Sequence, residues 1–270
     1  MTPRRIGAAV IAVIVLVTAV TLTLVRLTGS SPDPSGETMP VGDLPGWHQV
    51  FTDNFATSVP LGSFPAAVSS KWDVYTGPDT SGSGTYSPTK VISIGDGVMD
   101  MHLRTESGTH LVAAALPIIA GHDGAYNGLT YGRYAVRFRV DQPAKMAGYK
   151  TAWLLWPDSD NWSDGEIDFP EGNLDSSVSA FLHHKGDPEA QEGYPTAATY
   201  GAWHTAVIEW TQQSVTFTLD GAVAGSNTDA TILPDSPMHW VLQTETSPDG
   251  PDDAAAGNVE IDWVAIWSHT

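Results

Sequence analysis

From Trp47 to the end of the chain, apolar side chains fall on every second position in a series of short runs, and none of these runs repeats with a helical period. Successive side chains of a strand point to opposite faces, so each run predicts a strand with one face turned to a core. GRYAVRFRV (132–140) sets Tyr134, Val136, Phe138 and Val140 against Arg133, Ala135, Arg137 and Arg139. HTAVIEW (204–210) and SVTFTLDG (214–221) are two more such runs, the second closing on an Asp-Gly turn before Ala222 and Val223. NVEIDWVAIW (258–267) places Val259, Ile261, Trp263, Ala265 and Trp267 on one face and Glu260 and Asp262 on the other, which assigns Trp263 and Trp267 to the core. Many short strands, 26 glycines, 19 prolines and no helical pattern predict an all-β antiparallel sandwich, one domain over 47–270. No repeat of fixed period is visible, which argues against a propeller or a solenoid.

The first 46 residues read differently. After MTPRR, the stretch from Ile6 to Val25 carries no charge and is long enough, at helical rise, to cross a hydrocarbon core. It predicts an N-terminal hydrophobic helix within 1–28, a signal-anchor or a signal segment. Arg4 and Arg5 in front of it favour a cytoplasmic N-terminus, and the lack of an A-x-A cleavage site favours an anchor over a cleaved signal. The remainder is then extracytoplasmic, held to the membrane through this segment only or secreted. GSSPDPSGETMPVGDLPG (29–46) has little to bury and reads as a flexible linker.

Composition narrows the partners. A formal charge of −19 over 270 residues repels nucleic acid and anionic surfaces, so a neutral substrate is the easier match. With no cysteine, thiol catalysis and thiolate zinc are excluded, and the exported domain must be stable without disulfides.

Candidate chemistry concentrates in GEIDFPEG (165–172), where Glu166, Asp168 and Glu171 crowd six positions. Glu166 and Asp168 share a face of a strand, whereas Glu171, at an odd offset, faces away if the strand is regular. One extra residue in a β-bulge reverses the parity and returns Glu171 to the others; Pro170, which donates no ladder hydrogen bond, suits such a position. Two carboxyl groups about 5–5.5 Å apart are what retaining glycoside hydrolysis needs, and a curved strand is required to bring them together. A calcium site and a solvated acidic edge are the competing explanations. DSDNWSDG (158–165) departs from a calcium loop at Trp162 and in its late glycine, and Ile167 and Phe169 give the strand one apolar face. Tyr149, Trp153, Trp156 and Trp162 lie within twenty residues of Glu166 and offer rings against which sugars stack, although Trp153 and Trp156 have opposite parity on a regular strand.

These acids do not stand alone. YGRYAVRFRV (131–140), AWLLWP (152–157), FLHH (181–184), WHTAVIEWTQQSVTFTLDG (203–221) and VEIDWVAIW (259–267) follow in an order that resembles glycoside hydrolase family 16, the laminarinase and lichenase group of retaining β-glycanases. VFTDNF (50–55) resembles the opening strand of that family, and Glu166-Ile-Asp168-Phe-Pro-Glu171 matches its E-x-D-x-x-E signature in the bulged version. The resemblance spans 47–270. It implies a β-jelly-roll sandwich (concanavalin A-like) with a concave catalytic sheet, Glu166 as nucleophile, Glu171 as general acid/base and Asp168 as the assisting carboxylate. His183 matches a histidine on a neighbouring strand and joins Tyr149, Trp153, Trp156 and Trp162 as an expected substrate contact. Tyr149 stands for a usual tryptophan, Lys150 for a proline and His184 for a common aromatic, and Pro170 is unusual within the signature. No cofactor is required; many members bind a structural calcium, for which Asp262 is the matching ligand. The expected activity is that of a monomeric extracytoplasmic retaining endo-β-glycosidase acting on a polysaccharide, β-1,3-glucan first, with wall transglycosylation or a non-catalytic carbohydrate-binding sandwich as alternatives.

Overall fold

The computed structural model describes residues 34–121, 124 and 126–270. The Ile6–Val25 stretch, and with it the expected hydrophobic helix, lies outside the described residues; among those described, no helix is long and apolar enough to cross a membrane.

Two sheets form a sandwich. The first runs, in spatial order, through Ala222–Asn227, Val215–Leu219, His204–Trp210, Gly132–Val140, Gly257–His269, Val98–Glu106 and Thr109–Val112, then two short strands, with Trp47–Asp53 also paired to Gly257–His269. The second runs Asp187–Thr199, Ser177–His184, Glu166–Asn173, Tyr149–Pro157, Met238–Thr246, Ala114–Pro117 and Trp72–Val74. Neighbours far apart in sequence alternate with hairpin partners, and the pairs along the second sheet are antiparallel. The one α-helix among the described residues is Pro88–Val91.

Alternation fills the space between the sheets. Tyr134 of the first sheet meets Trp240 of the second edge-on with ring centroids 5.4 Å apart, Phe138 meets Trp153 at 5.3 Å, and Phe217 meets Phe169 at 5.6 Å. Edge-to-face pairs of this kind contribute about 0.5–1.5 kcal/mol beyond the area they bury. They fix which face of the second sheet is core, and therefore which face is free.

The last strand breaks the expected alternation. Ile261 pairs with Phe138 but Trp263 with Arg137, two steps on one strand to one on its partner, so the register shifts at Asp262. Beyond the shift Val264 and Ile266 enter the main core, while Trp263, Ala265 and Trp267 form a second apolar cluster with Ala135 and Val207 on the outer face. The assignment of Trp263 and Trp267 to the face of Val259 and Ile261 is thereby corrected: they are buried, but on the other side. Every side chain from Trp263 to Trp267 is apolar, so the pattern carried no mark of the change.

What buries those indoles is the segment expected to be a flexible linker. Trp263 Nε1 donates to the Glu37 carbonyl (3.1 Å), Trp267 Nε1 donates to the Gly42 carbonyl (2.9 Å), and Met39 and Trp47 pack on the same cluster. Arg137 pairs with the Glu37 carboxylate at 3.0 Å. From Ser35 onward the expected linker is thus a strap bound to the first sheet, because two outward-facing indoles need apolar cover and partners for their N–H groups.

Candidate active site

The free face of the second sheet is a grid set by strand register. Along the central strand Lys150, Ala152, Leu154 and Trp156 face outward; opposite them on Met238–Thr246 stand Glu245, Gln243, Val241 and His239 in turn. These residues line a cleft of about 1000 Å³, together with Trp162, Glu166, Glu171 and His183. Tyr149 and Trp153, expected to contact substrate, are fully buried on the core side, and that expectation is corrected. Their parity is odd, and Trp153 is occupied by Phe138.

The acidic strand carries the bulge that its spacing required. Ala152 pairs with Glu171 and Leu154 with Asp168, so three steps on the acidic strand face two on its neighbour. The other neighbour agrees, with Asp168 paired to Phe181 and Glu171 to Ser179. Phe169 turns into the core, the Phe169–Pro170 peptide is cis, and Glu171 returns to the cleft face. Gly165, at the start of the strand, has φ +90°, a conformation that favours glycine.

Each acid has a different environment. Glu166 accepts a hydrogen bond from the Trp162 indole N–H at 2.6 Å, and that ring lies 5.5 Å from the ring of His183. Asp168 is 1 % exposed, and neither of its oxygens meets a donor. Burial, then the charges of Glu166 and Glu171, push its carboxyl well above the usual range, and a hydrogen bond to Glu166 favours its protonated form. Two ionised carboxylates cannot bond to each other; one proton between them makes the contact favourable. His183 Nδ1–H donates to the Pro188 carbonyl (2.8 Å), which holds the ring with Nε2 3.5 Å from Asp168 Oδ2. Glu171 is pushed up to about 7 by burial first, with Lys150 pulling it down and Glu166 and Glu245 raising it. The strand therefore holds an acid that keeps its proton near neutrality five residues from Glu166, which lies within reach of an N–H donor.

Several cleft residues were not anticipated. His239 links the Asp158 carboxylate (Nδ1 to Oδ1, 2.9 Å) to the Tyr75 hydroxyl (Nε2, 3.0 Å), and Tyr126 stacks on Tyr75 with centroids 6.1 Å apart. Trp156, an expected contact that does face the cleft, donates its N–H to Asp160 Oδ1 at 2.9 Å. A signal existed for part of this: HWVLQTE puts His239, Val241, Gln243 and Glu245 on alternate positions against Trp240 and Leu242. For Tyr75 and Tyr126, on connecting segments, there was none.

Among the described residues no group of three or more His, Asp or Glu side chains is arranged to hold a metal ion. Asp262, matched to a calcium ligand by resemblance, is buried at the register shift of the last strand and accepts from the Ser35 amide (3.3 Å) and hydroxyl.

A two-sheet sandwich with carboxyl groups on a bulged strand, at the floor of a cleft edged by indole and phenol rings, defines a carbohydrate-cleaving enzyme of the β-sandwich class. The family model for glycosyl hydrolases family 16 matches residues 121–265, and the chain belongs to that family. It is accordingly a glycoside hydrolase of the retaining type. No curated protein matches the chain. Among solved structures it is similar to the laminarinase from Rhodothermus marinus, with 21 % identity over 83 % of this chain and 98 % of that one and a TM-score of 0.67. The endo-1,3-beta-glucanase from Streptomyces sioyaensis gives 19 % identity, 85 % and 99 % coverage and a TM-score of 0.67. A glycosyl hydrolase family protein from Mycobacterium fortuitum gives 22 %, 82 % and 100 %, and 0.62. At these identities the likeness is one of fold.

Proposed function

We propose that the chain is an endo-acting β-glucanase that cleaves β-1,3-glucan outside the cytoplasm, with Glu166 as nucleophile, Glu171 as general acid/base and Asp168 as the group that moves a proton onto and off Glu166. The observation that carries this reading is the three-against-two register of the acidic strand, which returns Glu171 to the face of Glu166 and Asp168. In the first step Glu166 attacks the anomeric carbon, the glycosidic C–O bond breaks, and the Glu171 proton passes to the departing oxygen. In the second, Glu171, now a carboxylate, takes a proton from water as the water oxygen displaces Glu166, so the configuration is retained and the acid is restored. The Asp168 proton donated toward Glu166 steadies that carboxylate as a leaving group. The Trp162 N–H holds the Glu166 carboxylate in one orientation.

The β-1,3-glucan assignment is supported by the descriptions of similar structures, a laminarinase and an endo-1,3-beta-glucanase, and by an open cleft edged by Tyr126, Trp156 and Trp162. The location is supported by the uncharged stretch from Ile6 to Val25. The test is reducing-end release from β-1,3-glucan, mixed-linkage β-1,3/1,4-glucan and galactan, with Glu166→Gln as blank. Fastest release from β-1,3-glucan, as internal fragments, is the expected result; release from galactan alone overturns the substrate.

A further inference from the structure

Lys150 is the departure that the family resemblance leaves unexplained, and it stands on the cleft floor diagonal to Glu171, since Ala152 is the direct partner of Glu171. Its ammonium lies 2.9 Å from Glu245 Oε2, directly across the neighbouring strand. Glu245 is 1 % exposed, and the Tyr86 hydroxyl donates toward both Glu245 Oε1 (3.2 Å) and Gln243 Oε1 (3.1 Å), which fixes the carboxylate from behind. An ion pair taken out of water loses in desolvation much of what it gains in attraction, so stability is a poor reason to place one on a cleft floor. Its position one row from Glu171 is a better one.

Resting on the reading of Glu171 as acid/base, we propose that the Lys150–Glu245 pair is a positioning device for the reaction, setting from the adjacent strands how firmly Glu171 holds the proton it delivers. The two members act with opposite sign. The Lys150 charge favours ionised Glu171, and the Glu245 charge opposes ionisation and holds the ammonium to its own side. The groups facing Glu171 are Glu166 and Asp168 on its own strand, Lys150 and Glu245 on the next two, and His183 on the other side; behind it the Tyr200 hydroxyl bonds to Thr151 at 2.8 Å. Only Lys150 among them is a permanent cation. Burial raises the Glu171 carboxyl most, and of the charges that act on it Lys150 has the largest effect.

The experiment is the pH dependence of kcat/KM on soluble β-1,3-glucan, whose alkaline limb reports loss of the acid's proton in the free enzyme. Glu245→Gln leaves Lys150 uncompensated, and the limb moves down by about one pH unit. The charge-free double variant Lys150→Met/Glu245→Gln removes both fields, and its limb lies above that of Glu245→Gln and above that of the wild type. If Glu245→Gln does not fold, the double variant, which buries no unpaired charge, still tests the sign against the wild type. A limb that stays in place in both variants, or moves the same way in both, overturns the proposal. Full activity of Glu171→Gln would instead overturn the acid/base reading itself, so the two failures are distinct.

Discussion

Glu171 joins a position to a protonation state, and both are open to measurement. Glu166→Gln and Glu171→Gln are each expected to cut hydrolysis of β-1,3-glucan by roughly 100–10,000-fold or more while leaving the circular-dichroism spectrum unchanged. Activity near that of the wild type in either would remove it from the mechanism. With the Glu171 carboxyl near 7, kcat/KM falls as pH rises through that value, because the acid then has no proton to give. The same raised value bears on stability. Its contribution is complete below the unfolded value of 4.5 and is gone once pH has passed about 7, because the buried carboxyl must then ionise where burial opposes it. Glu171→Gln should therefore melt higher than the wild type at pH 8, with the difference closing at pH 4. Trp162→Phe keeps the ring but removes the N–H that holds Glu166; a hydrogen bond to a charged group is worth about 1.5–3 kcal/mol, so kcat/KM should fall roughly 10- to 100-fold. At this scale the sequence was informative about charge and silent about contacts. The odd offset of Glu171 made a bulge necessary, whereas the pairing of Lys150 with Glu245 depends on a register between strands about 90 residues apart in the chain, which no local pattern encodes.

Of the strands whose register shifts partway along, the acidic strand and the last strand bear on the site and its cover, and of these two changes only one could be anticipated. In Glu166–Asn173 polar residues had to share a cleft, so the extra residue left a trace in their spacing. In Gly257–His269 the shift at Asp262 falls before a run that is apolar on both faces, and alternation has nothing to report. The same limit explains Tyr149 and Trp153: the strand they share with Lys150 and Trp156 is rich in large residues on both sides, and composition does not say which side is the cleft. Deleting Pro170 restores a regular strand and turns Glu171 toward the core face, so activity should be lost even in preparations that retain β-sheet circular dichroism. An active deletion variant would mean that the bulge does not position the acid.

For the molecule as a whole, the sandwich was legible because its evidence is redundant: many runs of period two, each sufficient to suggest a strand. The strap was not legible, since a Pro/Gly-rich stretch is the same in sequence whether or not a surface awaits it. That surface exists only because the last strand turns Trp263 and Trp267 outward. Removing residues 34–46 should expose both indoles, red-shift tryptophan fluorescence and cost on the order of 2 kcal/mol of stability, with activity retained at temperatures where the domain stays folded. An unchanged melting temperature would mean that the strap covers nothing of consequence.

The central claim is that Glu166 and Glu171 divide nucleophile and acid/base between them across a bulge. Reaction with a 2-deoxy-2-fluoro β-glucoside bearing a good leaving group, followed by peptide mass analysis, tests it directly. The account predicts one covalent adduct, on Glu166, formed also by Glu171→Gln because an activated leaving group needs no proton. An adduct on Glu171, or none together with a product of inverted configuration, would contradict it.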